Sequence, residues 1–233
     1  MTVTNSWKRT TAALILFGAS FGFVEAAVVI YLRALYEPLR RRFLPGADPR
    51  DLFPLITLDQ LRQAWPQYGE FLATELMREA ATMVLLVSIG LALSRNFRQG
   101  LAAFVIAFGI WDIAFYTFLK LRIGWPASLF DWDLLFLIPA PWIGPVIAPV
   151  LVAATMIAGG FLVLGREWSG RPLRAAPWHW AGVVLGGLVI IASFLGGGRA
   201  AAAGALPAAF NWPLFWLGEA IGIASFLHAW RRT

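Results

Sequence analysis

The sequence predicts an all-α, polytopic integral membrane protein, built as a bundle of six transmembrane helices. Of the 233 residues, 59% are hydrophobic and only 14% are charged, whereas soluble domains carry about 25% charged residues. In addition, several apolar runs exceed the roughly 18 residues that indicate a membrane span. Six spans use most of a chain of this length, so we expect a single transmembrane domain.

The composition also excludes several kinds of chemistry. The chain has no cysteine, which excludes disulfides, thiolate nucleophiles and iron–sulfur ligation. Its net charge of +6 comes from arginines in the loops, which favours contact with anionic headgroups over nucleic acid. Most tryptophans lie near predicted span ends, where the aromatic belt lies. We therefore expect membrane lipids as partners, and no nucleic acid.

The first span is predicted over residues 11–32, as a retained anchor that is too long to be a cleaved signal peptide. Gly18, Gly22 and Ala26 form a small-residue stripe along it. Such a stripe allows another helix to approach closely. Glu25 lies beside the stripe, so its side chain is expected to face protein and not lipid.

The loop after the first span holds one further predicted element. Thr57 and Gln60 have the spacing of a capping box, which predicts a short helix lying in the membrane interface. The second span is then predicted over residues 70–93 and the third over residues 101–119. In the third span Gly109 shares a face with polar residues, which again indicates contact with a neighbouring helix.

The fourth apolar run, residues 134–164, is too long for one crossing, since about 20 residues suffice. It carries four prolines in its first half, Pro139, Pro141, Pro145 and Pro149. Because proline breaks or kinks helices, we expect a broken or re-entrant piece near residues 134–141 and a proper span from about residue 143. A kinked, tilted helix is the alternative.

The fifth and sixth spans are predicted over residues 177–195 and 212–230, joined by a glycine- and alanine-rich link. Six spans place both termini on one side. Lysine and arginine are equally divided between the two sides, but short loops weigh more in the positive-inside rule. We therefore predict a bacterial-type inner membrane protein with both termini cytoplasmic.

Acidic residues in the apolar spans form the main functional signal, because charges at membrane depth are costly and usually functional. Four of these acids come from four different helices and lie roughly 10–15 Å from the same side, and Glu75 borders their layer. The predicted cation- or proton-binding residues are Glu25, Glu75, Glu79, Asp112 and Glu219.

Supporting residues surround this layer, and they do not balance its charge. Arg78 is the one basic residue predicted at this depth, Tyr116 lies one turn beyond Asp112, and Asp131 and Asp133 can cap the layer from a loop. An unpaired carboxylate in low dielectric is protonated or binds a cation. The alternative is a structural network, in which Arg78 bridges Glu75 to another helix and Tyr116 donates to Asp112.

Two cofactor hypotheses follow from the side chains. Glu25, Glu79 and Asp112 would give an all-oxygen set that suits a hard cation such as magnesium, calcium or manganese. A di-iron site is disfavoured, because no histidine is near the acids. His179 and His228 could meet as axial ligands of haem or chlorin, although their position among tryptophans favours ordinary interfacial residues.

The sequence contains no nucleophile, phosphate-loop or dinucleotide motif, which favours a non-enzymatic function. The leading hypothesis is a site that binds a cation or protons, coupled to small-solute transport through a gate over residues 139–149. A non-catalytic accessory subunit of a larger energy-converting or photosynthetic membrane complex is the alternative. A third hypothesis is a lipid-modifying enzyme that uses the carboxylates as acid and base.

Overall fold

The computed structural model describes residues 3–48, 50–205 and 209–232, with side chains from residue 7 onward. These residues are mostly helical, with one short two-stranded sheet. In chain order the elements are α1 (Val3–Phe43), α2 (Leu58–Ala64), α3 (Tyr68–Ala92), α4 (Phe97–Ile123), β1 (Trp132–Phe136), β2 (Trp142–Pro145), α5 (Ile147–Trp168), α6 (Pro177–Leu195), α7 (Gly198–Ala202) and α8 (Trp212–Arg231).

Four helical segments are long and apolar enough to cross a membrane, so the chain is a membrane protein. They are Trp7–Phe43, Phe97–Ile123, Ile147–Trp168 and Pro177–Ala202. The other two predicted spans form helices of suitable length, α3 and α8, but polar residues lower their apolar character. Glu75, Arg78 and Glu79 interrupt α3, and Glu219 and His228 interrupt α8. The count of six spans therefore stays a prediction.

Helices α1, α4 and α5 pack in a row, and glycines set their close spacing. A Cβ added at Gly22 would lie 2.6 Å from the Trp111 carbonyl oxygen on α4, and one added at Gly109 would lie 2.6 Å from the Ala153 carbonyl oxygen on α5. Gly18 and the fully buried Ala26 complete the α1 stripe. The prediction that these small residues allow close helix contact is confirmed.

The proline-rich run after α4 is where the all-α prediction is wrong. Residues 132–145 form an antiparallel hairpin, in which Trp132 pairs with Pro145 and Leu134 with Ile143. The predicted non-helical piece exists, but it consists of paired strands. Pairing satisfies the backbone groups that prolines prevent from joining a helix. Irregular backbone at membrane depth is tolerated where protein or a cavity covers it, and this hairpin lies against α5 and α6.

Helices α6 and α8 form a second packed pair, beside α5. A Cβ at Gly186 would lie 2.7 Å from the Gly218 carbonyl oxygen, so the two backbones touch without side chains between them. The predicted bounds of the fifth span match α6, and α8 ends one residue beyond its prediction. Part of the predicted link forms the short helix α7, and residues 206–208 of that link lie outside the described residues.

Helix α1 is far longer than its predicted span, since it continues through Pro38 to Phe43. Near its end Arg40 donates to the carbonyl oxygens of Leu52 at 2.6 Å and Pro54 at 3.2 Å, which folds the first loop back onto the helix. The predicted capping box is present, because the side chains of Thr57 and Gln60 each accept from the other residue's backbone N–H. Helix α2 therefore begins where the sequence predicts.

Candidate functional site

A cavity of about 720 Å³ lies between α1, α3, α4, the hairpin and the first loop. Helix α3 contributes the largest share of the lining, with Tyr68, Phe71, Leu72, Thr74, Glu75, Leu76, Arg78, Glu79 and Thr82. Most of the lining is apolar, and the ionisable groups are unequal in sign. The acids are Glu25, Glu37, Asp51, Glu75, Glu79, Asp112 and Asp133, and the bases are Arg33, Arg40 and Arg78.

Arg78 joins two of the predicted site acids. Its Nη1 donates to both carboxylate oxygens of Glu25 on α1, at 2.6 and 2.7 Å, and its Nη2 donates to Glu75 Oε1 at 2.6 Å. Nη1 also reaches the Thr82 hydroxyl at 3.4 Å. One guanidinium therefore serves two carboxylates, so this group keeps a net negative charge when both acids are ionised. The predicted bridge from Glu75 to another helix is present.

Glu79 has a different kind of partner. Both of its carboxylate oxygens accept from the backbone N–H of Leu137, at 3.1 and 3.0 Å. Leu137 directly follows β1, so this contact fastens the hairpin to α3. The side chain of Glu79 is buried, and a buried backbone N–H needs an acceptor. Glu79 therefore holds the hairpin against α3 and also lines the cavity.

Tyr116 donates its hydrogen bond to Asp133, whereas the sequence predicts that it donates to Asp112. The Tyr116 hydroxyl donates to Asp133 Oδ2 at 2.8 Å, so the predicted contact from Tyr116 to Asp112 is absent. The guanidinium of Arg33 attracts the Asp133 carboxylate and lies 4.1 Å from the centre of the Trp125 ring. Asp133 therefore faces both a hydroxyl donor and a positive charge.

Asp112 is the exception among the buried acids of the cavity wall. Its residue is 8% exposed, and its Oδ2 has no hydrogen-bond partner among the residues that the structure describes. The indole Nε1 of the neighbouring Trp111, which also lines the cavity, lacks a partner within the same described ranges. Burying a polar atom without a partner is costly, so these two atoms distinguish this part of the wall from the rest of the cavity.

Two predicted site residues lie apart from the cavity. Glu219 on α8 lies near the Thr155 side chain on α5 and does not line the cavity. The Asp131 carboxylate accepts from the backbone N–H groups of Ala127 and Ser128, at 2.7 and 3.2 Å. It stabilises the turn before β1. The structure brings together Glu25, Glu75, Arg78, Glu79, Asp112, Tyr116 and Asp133.

The arrangement gives little support to a metal or haem. Within residues 3–48, 50–205 and 209–232, no three acidic or histidine side chains are grouped to hold a metal ion. The hard-cation site at Glu25, Glu79 and Asp112 therefore stays a prediction. His179 and His228 do meet, with His179 Nε2 2.9 Å from His228 Nδ1. His179 Nδ1 also accepts from the Ala176 N–H, so both nitrogens of this ring are engaged.

Comparisons with known proteins give no further guide to the site. The chain matches no family model, no curated protein and no solved structure.

Sequence reasoning missed two contributors to the cavity, a backbone group of Leu137 and the side chain of Trp111. The backbone N–H of Leu137 carries no signal in the sequence. Trp111 resembles any other aromatic residue of an apolar helix, although its position beside Asp112 is visible in the chain.

Proposed function

We propose that this membrane protein binds a cation or a proton at Asp112 and couples that binding to movement of a solute across the membrane. The observation that carries the proposal is the Asp112 carboxylate, buried in the cavity wall, with no partner for Oδ2 among the described residues. A buried carboxylate without a partner either stays protonated or binds a cation. In either case, binding and release at Asp112 can be coupled to movement of the solute.

The charge of the cavity wall supports this proposal. Its acids outnumber its arginines, and the arginines have other partners. Arg78 contacts Glu25 and Glu75, Arg33 donates to the Arg50 carbonyl oxygen, and Arg40 donates to backbone carbonyl oxygens. Within the described ranges of the chain, none of these three arginines donates to Asp112 Oδ2.

The non-helical hairpin supports the coupling step. Secondary transporters place broken backbone next to intramembrane charges, and movement of one part of the bundle against another changes access to the site. Here the segment from Phe136 to Trp142 joins the two strands and is held to α3 by Glu79. We propose that the hairpin, which overlaps the predicted gate of residues 139–149 at residues 139–145, acts as the gate, and that the Glu79 contact holds it closed.

The test uses protein reconstituted into liposomes that contain a pH-sensitive dye or are loaded for sodium, potassium or proton flux. We expect the wild-type protein to carry protons or one of these cations, and Asp112→Asn to reduce the flux at least tenfold. The matched control is Glu219→Gln, a buried acid outside the cavity, which is expected to keep the wild-type flux. Empty liposomes give the background rate.

Two outcomes would overturn the proposal. Flux of every tested ion at the level of empty liposomes would remove the transport step. Equal flux in wild type and Asp112→Asn would remove Asp112 from the site. If native purification instead yields a fixed set of partner subunits and no flux, an accessory role in a membrane complex becomes the better explanation.

A second candidate function is an enzyme that acts on an amphiphilic substrate such as a lipid. The observation that favours it is the pairing of an apolar cavity wall with two different aspartates, Asp112 without a partner for Oδ2 among the described residues and Asp133 bound to Tyr116. Two carboxylates in different environments can serve as acid and base. Conversion of lipid by purified wild-type protein, lost in Asp112→Asn, would favour this candidate.

A further inference from the structure

We infer that the cavity takes an organic ammonium compound with an apolar body, its positive end at Asp112. The inference rests on the proposed cation site and names the chemical class of its ligand. It combines the unpartnered carboxylate with the volume and the aromatic lining of the cavity.

The volume is the first reason to prefer a molecule over a bare ion. The cavity holds about 720 Å³, within the range of about 300–1,000 Å³ typical of small-molecule sites. A single water molecule occupies about 30 Å³ of liquid, so one ion with a few waters would leave most of this space unfilled. A mostly apolar wall also offers such waters few partners.

The coordination chemistry is the second reason. Hard divalent cations need about six oxygen ligands, whereas no three acidic side chains within the described ranges are grouped to hold a metal. An ammonium group needs fewer oxygen ligands, because one carboxylate and nearby aromatic faces can hold it. Asp112 supplies the carboxylate, and Trp111, Phe115 and Tyr116 line the wall beside it on α4.

The part of the cavity between Asp112 and the first loop can hold the apolar body of the ligand. Leu32 and Leu35 on α1 face the same space as Leu72 and Leu76 on α3. Burial of hydrocarbon contributes about 0.8 kcal/mol for each methylene group. A ligand with both an ammonium and a hydrocarbon part therefore matches the wall better than either a metal ion or a neutral solute.

This chemistry has two sources in a membrane, a free amphiphilic amine or the ammonium headgroup of an aminolipid. Both place a positive charge next to hydrocarbon. Binding measurements on purified, delipidated protein in maltoside micelles can separate them, because these micelles contain no ammonium group.

The experiment measures equilibrium binding of radiolabelled hexylammonium and of its neutral counterpart, hexanol. We expect hexylammonium to bind wild type at least tenfold tighter than hexanol at equal free concentration. Asp112→Asn is expected to weaken hexylammonium at least tenfold while hexanol changes less than threefold. Glu219→Gln, the buried acid outside the cavity, is expected to bind both like wild type.

A second variant keeps the test valid if Asp112→Asn does not fold. Leu72→Trp fills the apolar part of the cavity and leaves Asp112 in place, so we expect it to weaken hexylammonium at least fivefold. Thermal unfolding of each variant reports whether it is folded. Added phosphatidylethanolamine that displaces hexylammonium, where diacylglycerol does not, identifies the aminolipid as the source; no displacement identifies a free amine.

The inference is overturned by equal affinity for hexylammonium and hexanol, or by hexylammonium binding that neither variant changes. Sodium, potassium or proton binding at Asp112 without hexylammonium binding overturns this inference alone and leaves the proposed function intact. If none of these cations binds at the site, both this inference and the proposed function are overturned.

Discussion

Arg78 on α3 donates to both carboxylate oxygens of Glu25 on α1, at 2.6 and 2.7 Å. This is a contact between helices far apart in the chain, and it lies where the two helices face a common cavity. Removing one partner of such a pair leaves a charge without compensation, which costs more than the pair itself contributes.

The first prediction concerns this pair. Arg78→Gln is expected to lower the free energy of unfolding by about 3 kcal/mol, because Glu25 and Glu75 then repel each other in a poorly solvated wall. Denaturant unfolding in detergent micelles measures the change. Arg41→Gln, which removes an ion pair with a largely exposed arginine, is the control with an expected change below about 0.5 kcal/mol. A double variant, Glu25→Gln with Arg78→Gln, should recover part of the loss; equal loss would contradict the pairing.

The second prediction concerns the contact of α1 with α4. Gly22→Ala is expected to destabilise the protein by about 2 kcal/mol, because the new Cβ would lie 2.6 Å from the Trp111 carbonyl oxygen and would push the helices apart. Gly159→Ala makes the same change in α5, where nothing lies within 4 Å of the new atom. It should leave stability unchanged or raise it by up to about 1 kcal/mol. Similar melting temperatures for both variants would contradict this packing.

The third prediction concerns the contact between Glu79 and the hairpin. Glu79→Ala leaves the Leu137 N–H without its acceptor, and a hydrogen bond to a charged group contributes about 1.5–3 kcal/mol. Hydrogen exchange at Leu137 is therefore expected to speed up by about 10- to 100-fold, as measured by mass spectrometry. Glu70→Ala, on an exposed turn of the same helix, serves as the control and should not change exchange there. Slow exchange in both variants would mean that Glu79 does not hold the hairpin.

The fourth prediction concerns Tyr116. Tyr116→Phe removes the donor of a 2.8 Å hydrogen bond and leaves Asp133 with one polar partner fewer, which is expected to cost about 1–3 kcal/mol. Tyr31→Phe provides the matched control, because Tyr31 is 71% exposed and is expected to change stability little. Thermal unfolding of the two variants measures the difference in stability. Equal stability would contradict the hydrogen bond between Tyr116 and Asp133.

The fifth prediction tests the six-span count. Because the sequence holds no cysteine, single cysteines can report their side of the membrane through a maleimide that does not cross it. Gly46→Cys and Arg95→Cys flank α3, and they are expected to react from opposite sides, with Gly46→Cys on the outside. Ala203→Cys and Arg232→Cys flank α8 and should likewise differ. Labelling of either pair from one side would reduce the number of spans.

Much of the helical fold could be predicted, because apolar runs and their flanking residues are local signals. Helix α6 begins at Pro177 and ends before Gly196, as expected from a proline in the first turn and a glycine past the last. The hairpin could not be predicted in the same way. Its strands of five and four residues depend on pairing between separate parts of the chain, and pairing leaves no periodic pattern in so short a run.

The candidate site could be predicted only in part, because depth along a helix does not fix direction around the bundle. Glu219 was expected in the same layer as the other acids, but α8 places it outside the cavity, near Thr155 of α5. Arg33 directly follows the predicted first span, and it lines the cavity because the long helix α1 continues beyond it.

The length of α1 has a consequence for how a solute could reach the acids. A helix of 41 residues is about 62 Å long, roughly twice the thickness of the hydrocarbon layer. Arg40 and Glu25 lie on this one helix about 22 Å apart, and both border the same space. A molecule dissolved at the level of the headgroups could therefore descend to the buried carboxylates along α1 without passing between lipid tails.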